Sequence, residues 1–225
     1  MPHAPATMDF AAARALMVDG QVRPNKVTDP RIIAAMRSLP RERFVPAAQA
    51  SLAYSDEDVK LGGGRVLLEP MVIGRLVQIA AVREGERVLV VAAGSGYGAA
   101  LMAACGADVT AVEQDPALLA MARAVLPQVA PGVKLVEGVV AEGWKAGAPY
   151  DVILVEGAVP EIPAALPGQL RGQGGRLLAV LKPGSRVGQA VLATNAGGGR
   201  LNPAPVFDCA TPVLPMMQRE AGFVF

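Results

Sequence analysis

The sequence is poor in the residues that build metal centres and nucleophile–base pairs. It contains one histidine, His3, and two cysteines, Cys105 and Cys209. A structural or catalytic zinc needs several such ligands, and an activated serine or cysteine needs a histidine beside it. We therefore expect no resident metal and no hydrolase triad, because His3 lies in an aperiodic terminal segment. Cys105 lies in an apolar helical pattern, which predicts a buried, unreactive thiol.

A net charge of one sign is also missing. The chain has 21 basic and 20 acidic residues, for a formal charge of +1, so no global field attracts nucleic acid or anionic lipid. No apolar run is long and clean enough to span a bilayer, and the N-terminus lacks the basic and apolar regions of a signal peptide. We expect a cytoplasmic protein with no nucleic-acid or membrane partner; no pattern indicates its oligomeric state.

Apolar residues, in contrast, are plentiful. They make up 52% of the 225 residues, which suits one α/β domain with an added N-terminal lobe. The predicted organisation is a disordered tail over residues 1–8, a helical lobe with a loop over 9–83, and a core over 84–225. We expect the apolar, proline-punctuated segment 211–225 to dock on the core.

Helical spacing and proline positions organise the predicted lobe. Its predicted elements are a helix from Phe10 to Met17 stopped at Gly20, a helix from Asp29-Pro30 to Pro40, a flexible turn over 61–64, and a helix from Pro70 to Ala80.

From residue 87 onwards, strand and helix patterns alternate, and this order predicts a doubly wound, mostly parallel sheet. The predicted strands are 87–91, 108–112, 134–137, 150–155, 176–181, 187–194 and a proline-interrupted edge strand, 201–207; the predicted helices are 97–104, 116–126 and 162–170; the predicted turns are 172–175 and 196–200.

The most informative pattern is a buried strand that enters a glycine turn, Gly94-Ser95-Gly96, before a helix begins at Tyr97. Such a turn lets a ligand approach the backbone, and its N–H groups donate to an anion or carboxylate. A plain strand–helix turn is the alternative. Glu113, nineteen positions after Gly94, favours a ligand, because an acid at the end of the second strand accepts ribose hydroxyl hydrogens. The other interpretation of Glu113 is a solvated charge at a strand end.

Two more residues lie near the same predicted edge. Glu156 follows the fourth core strand, where it either contacts a substrate or cofactor or is a loop charge. Trp144 either flanks a flat ring or packs in the core.

Several motifs carry a family resemblance. They are Val18–Arg23, Asp29–Pro46, Leu52–Tyr54, the glycine turn with Tyr97, the strand 149–155, and the segments 158–163 and 174–177. On these motifs the sequence resembles the protein-L-isoaspartate O-methyltransferases over most of residues 9–194. The N-terminal run is the specific part, since many S-adenosylmethionine enzymes share the glycine turn.

The resemblance implies a Rossmann-like class I methyltransferase fold that uses S-adenosylmethionine to methylate an isoaspartyl carboxylate in damaged proteins. Such a carboxylate is already a nucleophile, so alignment supplies most of the catalysis and no strong base is required. No catalytic residue is therefore assigned. The cofactor-binding residues that it implies are Gly94, Ser95, Gly96, Tyr97, Glu113, Gln114, Val139 and Glu156.

The sequence also departs from the family's pattern. Val90 replaces an acid, Ala92 a glycine, and Val139 an aspartate, while Val66 and Leu68 replace hydroxyl residues. Each lost hydrogen bond weakens binding by about 0.5–1.5 kcal/mol unless Arg65, Glu69 or Glu156 compensates.

Two alternatives to an isoaspartyl methyltransferase follow: a non-catalytic binding or regulatory protein with the same fold, and a methyltransferase with another acceptor. A nicotinamide-dependent oxidoreductase fits less well, because Ala92 stands where its fingerprint has a first glycine.

Overall fold

The computed structural model describes residues 8–218, and a seven-stranded sheet forms its centre. The order of its strands is β5-β4-β3-β6-β7-β8-β9, and a separate hairpin supplies β1 and β2. The strands are β1 Val59–Gly62, β2 Arg65–Leu67, β3 Arg87–Val91, β4 Asp108–Glu113, β5 Lys134–Glu137, β6 Val152–Val159, β7 Gln173–Leu181, β8 Gly188–Ala196 and β9 Leu201–Cys209.

The sheet is parallel from β5 through β7, and β8 and β9 add an antiparallel edge. This confirms the predicted doubly wound, mostly parallel class. Because parallel strands end at the same edge, the residues that follow β3, β4 and β6 come close together there.

Five α-helices accompany the sheet in the described residues. They are α1 Phe10–Met17, α2 Pro30–Ser38, α3 Pro70–Ala80, α4 Tyr97–Ala104 and α5 Pro116–Val129. Three of them begin with proline, whose missing N–H is not needed in a first turn. Asp29 and Asp115 accept hydrogen bonds from backbone N–H groups at the starts of α2 and α5, as expected of N-caps.

Some predicted boundaries are wrong. Gly20 does not stop the first helix, because the chain continues through a π-helical turn, Val18–Val22. The turn over 61–64 belongs to a hairpin, since β1 and β2 flank Gly63 and Gly64. The predicted helix over 162–170 is absent, and only the 3-10 turn Pro167–Gln169 forms there. Pro167, in the interior of the predicted helix, lacks the N–H group that a helix would use there.

Alternate residues of β3 face two different clusters. Val88 and Val90 pack in a large cluster that includes Met36 and Phe44 of the N-terminal lobe. Leu89 and Val91 pack in a second cluster on the other face, covered in part by the side chains of Val140, Leu166 and Leu214. Continuous apolar strands are typical of a sheet that is covered on both faces.

The start of the C-terminal segment is hydrogen-bonded to β6; docking of the whole segment 211–225 stays a prediction. Leu214 N–H donates to Ala158 O at 2.8 Å, and Ala158 N–H donates to Pro212 O at 3.2 Å. Residues 219–225 and residues 1–7, including most of the predicted disordered tail and His3, lie outside the described residues. None of the described helices is long and apolar enough to cross a membrane; the cytoplasmic location stays a prediction.

Candidate cofactor site

The glycine turn lies at the carboxyl end of β3, as predicted. Gly94 and Gly96 have φ values of +58° and +97°, in the region that glycine adopts at little steric cost. Ala92 has φ of +56° although it carries a Cβ, so the turn starts in a conformation that is unfavourable for its residue.

Parallel pairing brings Glu113 to this turn. The register sets Val91 beside Val112, so the residues that follow them share the sheet edge. Gly94 N–H donates to Glu113 Oε2 at 2.8 Å, and the glutamate is fully buried. The interpretation of Glu113 as a solvated charge is therefore wrong.

An arginine occupies the other side of this carboxylate. Arg65 Nη1 and Nη2 donate to Glu113 Oε1 and Oε2, both at 3.1 Å, and Nη2 also donates to Ala92 O at 2.8 Å. The N–H groups of Gln114 and Asp115 donate to Glu113 Oε1 at 2.8 and 3.0 Å. Oε1 thus accepts three hydrogen bonds and Oε2 two, which leaves little acceptor capacity for a ligand.

The sequence gives only a weak signal for this pair. Arg65 follows three glycines and stands two positions before Leu67, and alternation along β2 buries both side chains on one face. The sequence indicates Arg65 only as a group that could replace a lost cofactor contact, because its partner Glu113 lies 48 positions away. Burial raises the pKa of the Glu69 carboxyl, and the negative charges of Asp58 and Asp56 raise it further.

Glu156 lies inside β6 and is buried, so it is not a loop charge. Its carboxylate fills the space beside Gly98, where a Cβ would overlap Oε2. Burial raises the pKa of Glu156 to about 8, against the opposing effect of the Arg65 and Arg41 charges. A large fraction of this carboxyl is therefore protonated near neutral pH.

The first turn of α4 rests on buried aromatic and basic groups. The Tyr97 ring lies 4.8 Å from the Arg41 guanidinium carbon and 5.2 Å from the Phe44 ring centroid. Arg41 Nε and Nη2 donate to Ala53 O and Leu68 O, both at 2.6 Å. The Tyr97 ring therefore packs the first turn of α4 against the N-terminal lobe. Ser95 Oγ, also buried, has no hydrogen-bond partner within the described residues.

Gln114 and Val139 lie where β4 and β5 end. Gln114 Oε1 accepts a hydrogen bond from Val140 N–H at 3.0 Å. Val139 is 55% exposed and borders a surface cavity of about 260 Å³ with Gly138 and Trp144. Trp144 is partly buried against the second cluster and also lines this cavity; its role beside a flat ring stays a prediction.

The surroundings of the Cys105 thiol and of the possible metal ligands in the described residues indicate no further chemistry at this site. Burial raises the pKa of Cys105 to about 11, so its thiol stays protonated and unreactive as predicted. Across residues 8–218 no three His, Cys, Asp or Glu side chains come together as metal ligands.

Comparisons with known proteins agree over most of the chain. The family model described as Protein-L-isoaspartate(D-aspartate) O-methyltransferase matches residues 13–202. A protein-L-isoaspartate O-methyltransferase of Methylorubrum extorquens is 40% identical over 190 residues, which are 84% of this chain and 82% of that protein.

Solved structures show the same fold. One protein-L-isoaspartate O-methyltransferase superposes with a TM-score of 0.76 at 24% identity, covering 91% of this chain and 65% of its own. A putative one from Plasmodium falciparum, in complex with S-adenosyl-L-homocysteine, gives 0.72 at 17% identity, covering 89% of this chain and 97% of its own.

Proposed function

The chain belongs to the protein-L-isoaspartate O-methyltransferase family and is an S-adenosylmethionine-dependent methyltransferase; on this basis we propose that its acceptor is an isoaspartyl carboxylate in a protein or peptide. The observation that carries the proposal is the extent of the family match, residues 13–202. It includes the N-terminal lobe as well as the glycine turn, which other methyltransferases share.

The geometry of the site supports binding of the cofactor in the family's place. Glu113, at the end of β4, is the candidate ribose acceptor. The N–H groups of Gly94 and Gly96 already donate to Glu113 Oε2 and Ala93 O, so the buried Ser95 Oγ, which has no hydrogen-bond partner in the described residues, is the candidate donor for a carboxylate. Val139 and Trp144 offer apolar surface for a flat ring. We propose as cofactor-binding residues Gly94, Ser95, Gly96, Tyr97, Glu113, Gln114, Val139 and Glu156.

The fit requires one rearrangement. Both oxygens of Glu113 already accept hydrogen bonds from Arg65, so ribose hydroxyls gain access to the carboxylate only when the guanidinium moves away.

The proposed reaction requires no general acid or base from the protein. The bound cofactor supplies a methyl group on a sulfonium, which a carboxylate oxygen attacks in line to give a methyl ester and S-adenosylhomocysteine. An ionised acceptor needs no proton removed, so positioning and exclusion of water are the protein's contribution. The lack of a histidine at the turn is consistent with this chemistry.

Calorimetric titration with S-adenosylhomocysteine tests the cofactor assignment. We expect binding at roughly micromolar concentration and at least about tenfold weaker binding by Glu113→Gln, which keeps the shape of the side chain but loses its charge. The matched control is Glu137→Gln at the exposed end of β5, which should bind as the parent does. The absence of heat and of a thermal shift at millimolar ligand would refute cofactor binding.

A methyl-transfer assay then tests the acceptor. An isoaspartyl peptide should be methylated, and the same peptide with an ordinary aspartate should not. Cofactor binding without transfer to the isoaspartyl peptide would contradict the proposed acceptor and favour either of the two alternatives, another acceptor or a non-catalytic role.

A further inference from the structure

The ion pair between Arg65 and Glu113 is the most deeply buried in the described part of the chain. Its side chains are 2% and 0% exposed. Paired N–H···O bonds from a guanidinium to a carboxylate are charge-assisted and geometrically specific. The third bond, to Ala92 O, fixes the guanidinium against the start of the glycine turn. Arg65 is thus hydrogen-bonded both to the carboxylate that is predicted to bind the ribose and to the backbone of the glycine turn.

The hairpin that carries Arg65 also covers the turn. A Cβ built on Gly94 would lie 3.5 Å from Leu61 Cδ1 and 3.9 Å from Arg65 Nη2. Leu61 belongs to β1 and Arg65 to β2, so both hairpin strands contribute to this cover. The side of Gly94 that a ligand would approach is occupied by the protein's own side chains.

The free energy needed to move Arg65 away from Glu113 weakens ligand binding. A buried ion of a broken pair is left without compensation, which is strongly unfavourable. Ribose hydroxyls are neutral donors and replace only part of the charge-assisted bonds that Glu113 loses. A cofactor with a sulfonium brings a third positive charge to the edge that already holds Arg65 and Arg41.

The hairpin is joined to the rest of the protein by side-chain packing and not by the backbone ladder of the main sheet. β1 and β2 pair only with each other, in a two-stranded sheet separate from the main one. Gly63 and Gly64 join them, and both these residues and Gly62 at the end of β1 have positive φ. Withdrawal of the hairpin therefore breaks no ladder hydrogen bond of the seven-stranded sheet.

We propose that Arg65 competes with the cofactor ribose for Glu113 and thereby sets the affinity of this chain for S-adenosylmethionine and S-adenosylhomocysteine. The competition rests on the proposed function and concerns the same site. A site that is open in about one molecule in ten binds with about one tenth of its intrinsic affinity. Removal of Arg65 should therefore tighten binding, which is the reverse of what loss of a ligand-contacting residue would do.

Calorimetric titration of arginine variants with S-adenosylhomocysteine tests the competition. Arg65→Ala should lower the Kd at least about tenfold. Arg65→Lys keeps a positive charge beside Glu113 but cannot make the paired bonds, so it should fold and lower the Kd several-fold. The matched control is Arg123→Ala, since Arg123 pairs with Glu137 at the same 3.1 Å but both side chains are more than 60% exposed; its Kd should equal the parent's.

The outcomes separate the two proposals. If Arg65→Ala fails to fold, Arg65→Lys decides. A Kd of Arg65→Lys equal to or above the parent's overturns the competition and leaves the proposed function standing, provided that Glu113→Gln still weakens binding. If neither the parent nor any arginine variant binds S-adenosylhomocysteine at millimolar concentration, both proposals fail.

Discussion

At the scale of single residues, Ala92 has an unfavourable backbone conformation at the start of the glycine turn. Its φ of +56° lies in the left-handed region, where a Cβ crowds the backbone. Its N-terminal neighbour Val91 is the last residue of β3, and Arg65 donates to the Ala92 carbonyl. The backbone is therefore held in this conformation from both sides.

Ala92→Gly should stabilise the protein by about 0.5–1 kcal/mol, because relief of the left-handed strain exceeds the added freedom of the unfolded chain. Urea unfolding measures the change. The control is Ala93→Gly, at an equally buried position whose φ is not positive; it should lose about 1 kcal/mol. Equal losses in both variants would contradict the strain at Ala92.

Glu156 is the second unusual residue, because its environment favours the protonated form. Burial is the main cause of its raised pKa, about 8, and the negative charge of Glu113 also contributes. The ordinary value is 4.5. Between these two values the folded protein holds a proton that the unfolded chain has released.

The free energy of unfolding should therefore fall as the pH rises through this interval, by at most about 1.4 kcal/mol per pH unit, with the loss complete above about pH 8. Glu156→Gln removes this contribution. Urea unfolding at several pH values should show that the parent loses stability relative to Glu156→Gln as the pH rises, whereas Glu137→Gln should follow the parent. A constant difference between parent and Glu156→Gln across the interval would be inconsistent with a raised pKa.

At the scale of elements, the C-terminal segment covers the second face of the sheet. Leu214 is 4% exposed, and a Cβ at Gly157 would lie 2.5 Å from its Cδ2. A glycine in β6 thus makes room for the leucine, while two backbone hydrogen bonds to Ala158 fix the segment. Packing and backbone pairing together decide where this irregular segment lies.

Leu214→Ala should destabilise the protein by about 2–4 kcal/mol, since the deleted atoms leave a cavity against Gly157. The measurement is chemical unfolding followed by circular dichroism. Val187→Ala removes an apolar side chain that is 66% exposed and should change the stability by less than about 0.5 kcal/mol. Similar small effects for both would show that the segment does not pack as described.

The segment 162–170 shows why an element could be mispredicted. Its apolar residues suggest a helix, but Pro167 interrupts the N–H series, and Leu166 and Leu170 are buried in the second cluster without one. The Gln169 side chain ties the segment to the preceding loop: its Oε1 accepts a hydrogen bond from Trp144 N–H at 2.8 Å, and its Nε2 donates to Glu142 O at 2.7 Å. Such long-range bonds have no local signal in the sequence.

At the scale of the whole molecule, the N-terminal lobe and the sheet share one hydrophobic cluster. It runs from Met17 and Met36 to Val90 and Val152, and Phe44 contacts Tyr97 of α4. The lobe predicted over 9–83 therefore buries part of its apolar surface against the predicted core.

Because of this shared cluster, we expect the lobe and the core to unfold in one cooperative transition. Fluorescence of Trp144, the single tryptophan, reports on the core, and far-ultraviolet circular dichroism also reports on the helices of the lobe. The two midpoints in urea should coincide. A circular-dichroism transition at lower urea than the fluorescence transition would show that the lobe unfolds by itself.

Local chemistry was enough to determine much of this protein. Proline at the first position of α2, α3 and α5, the glycines of the turn, and the apolar strands each act through the chain's own dihedral angles and periodicity. The sheet class, the glycine turn at the carboxyl end of β3 and the family resemblance all follow from such features. Only the tertiary structure decided that Arg65 reaches Glu113 and that Glu156 is buried beside Gly98. A bond between residues 48 positions apart and the desolvation of a carboxyl depend on which elements pack together, and no local pattern specifies that packing.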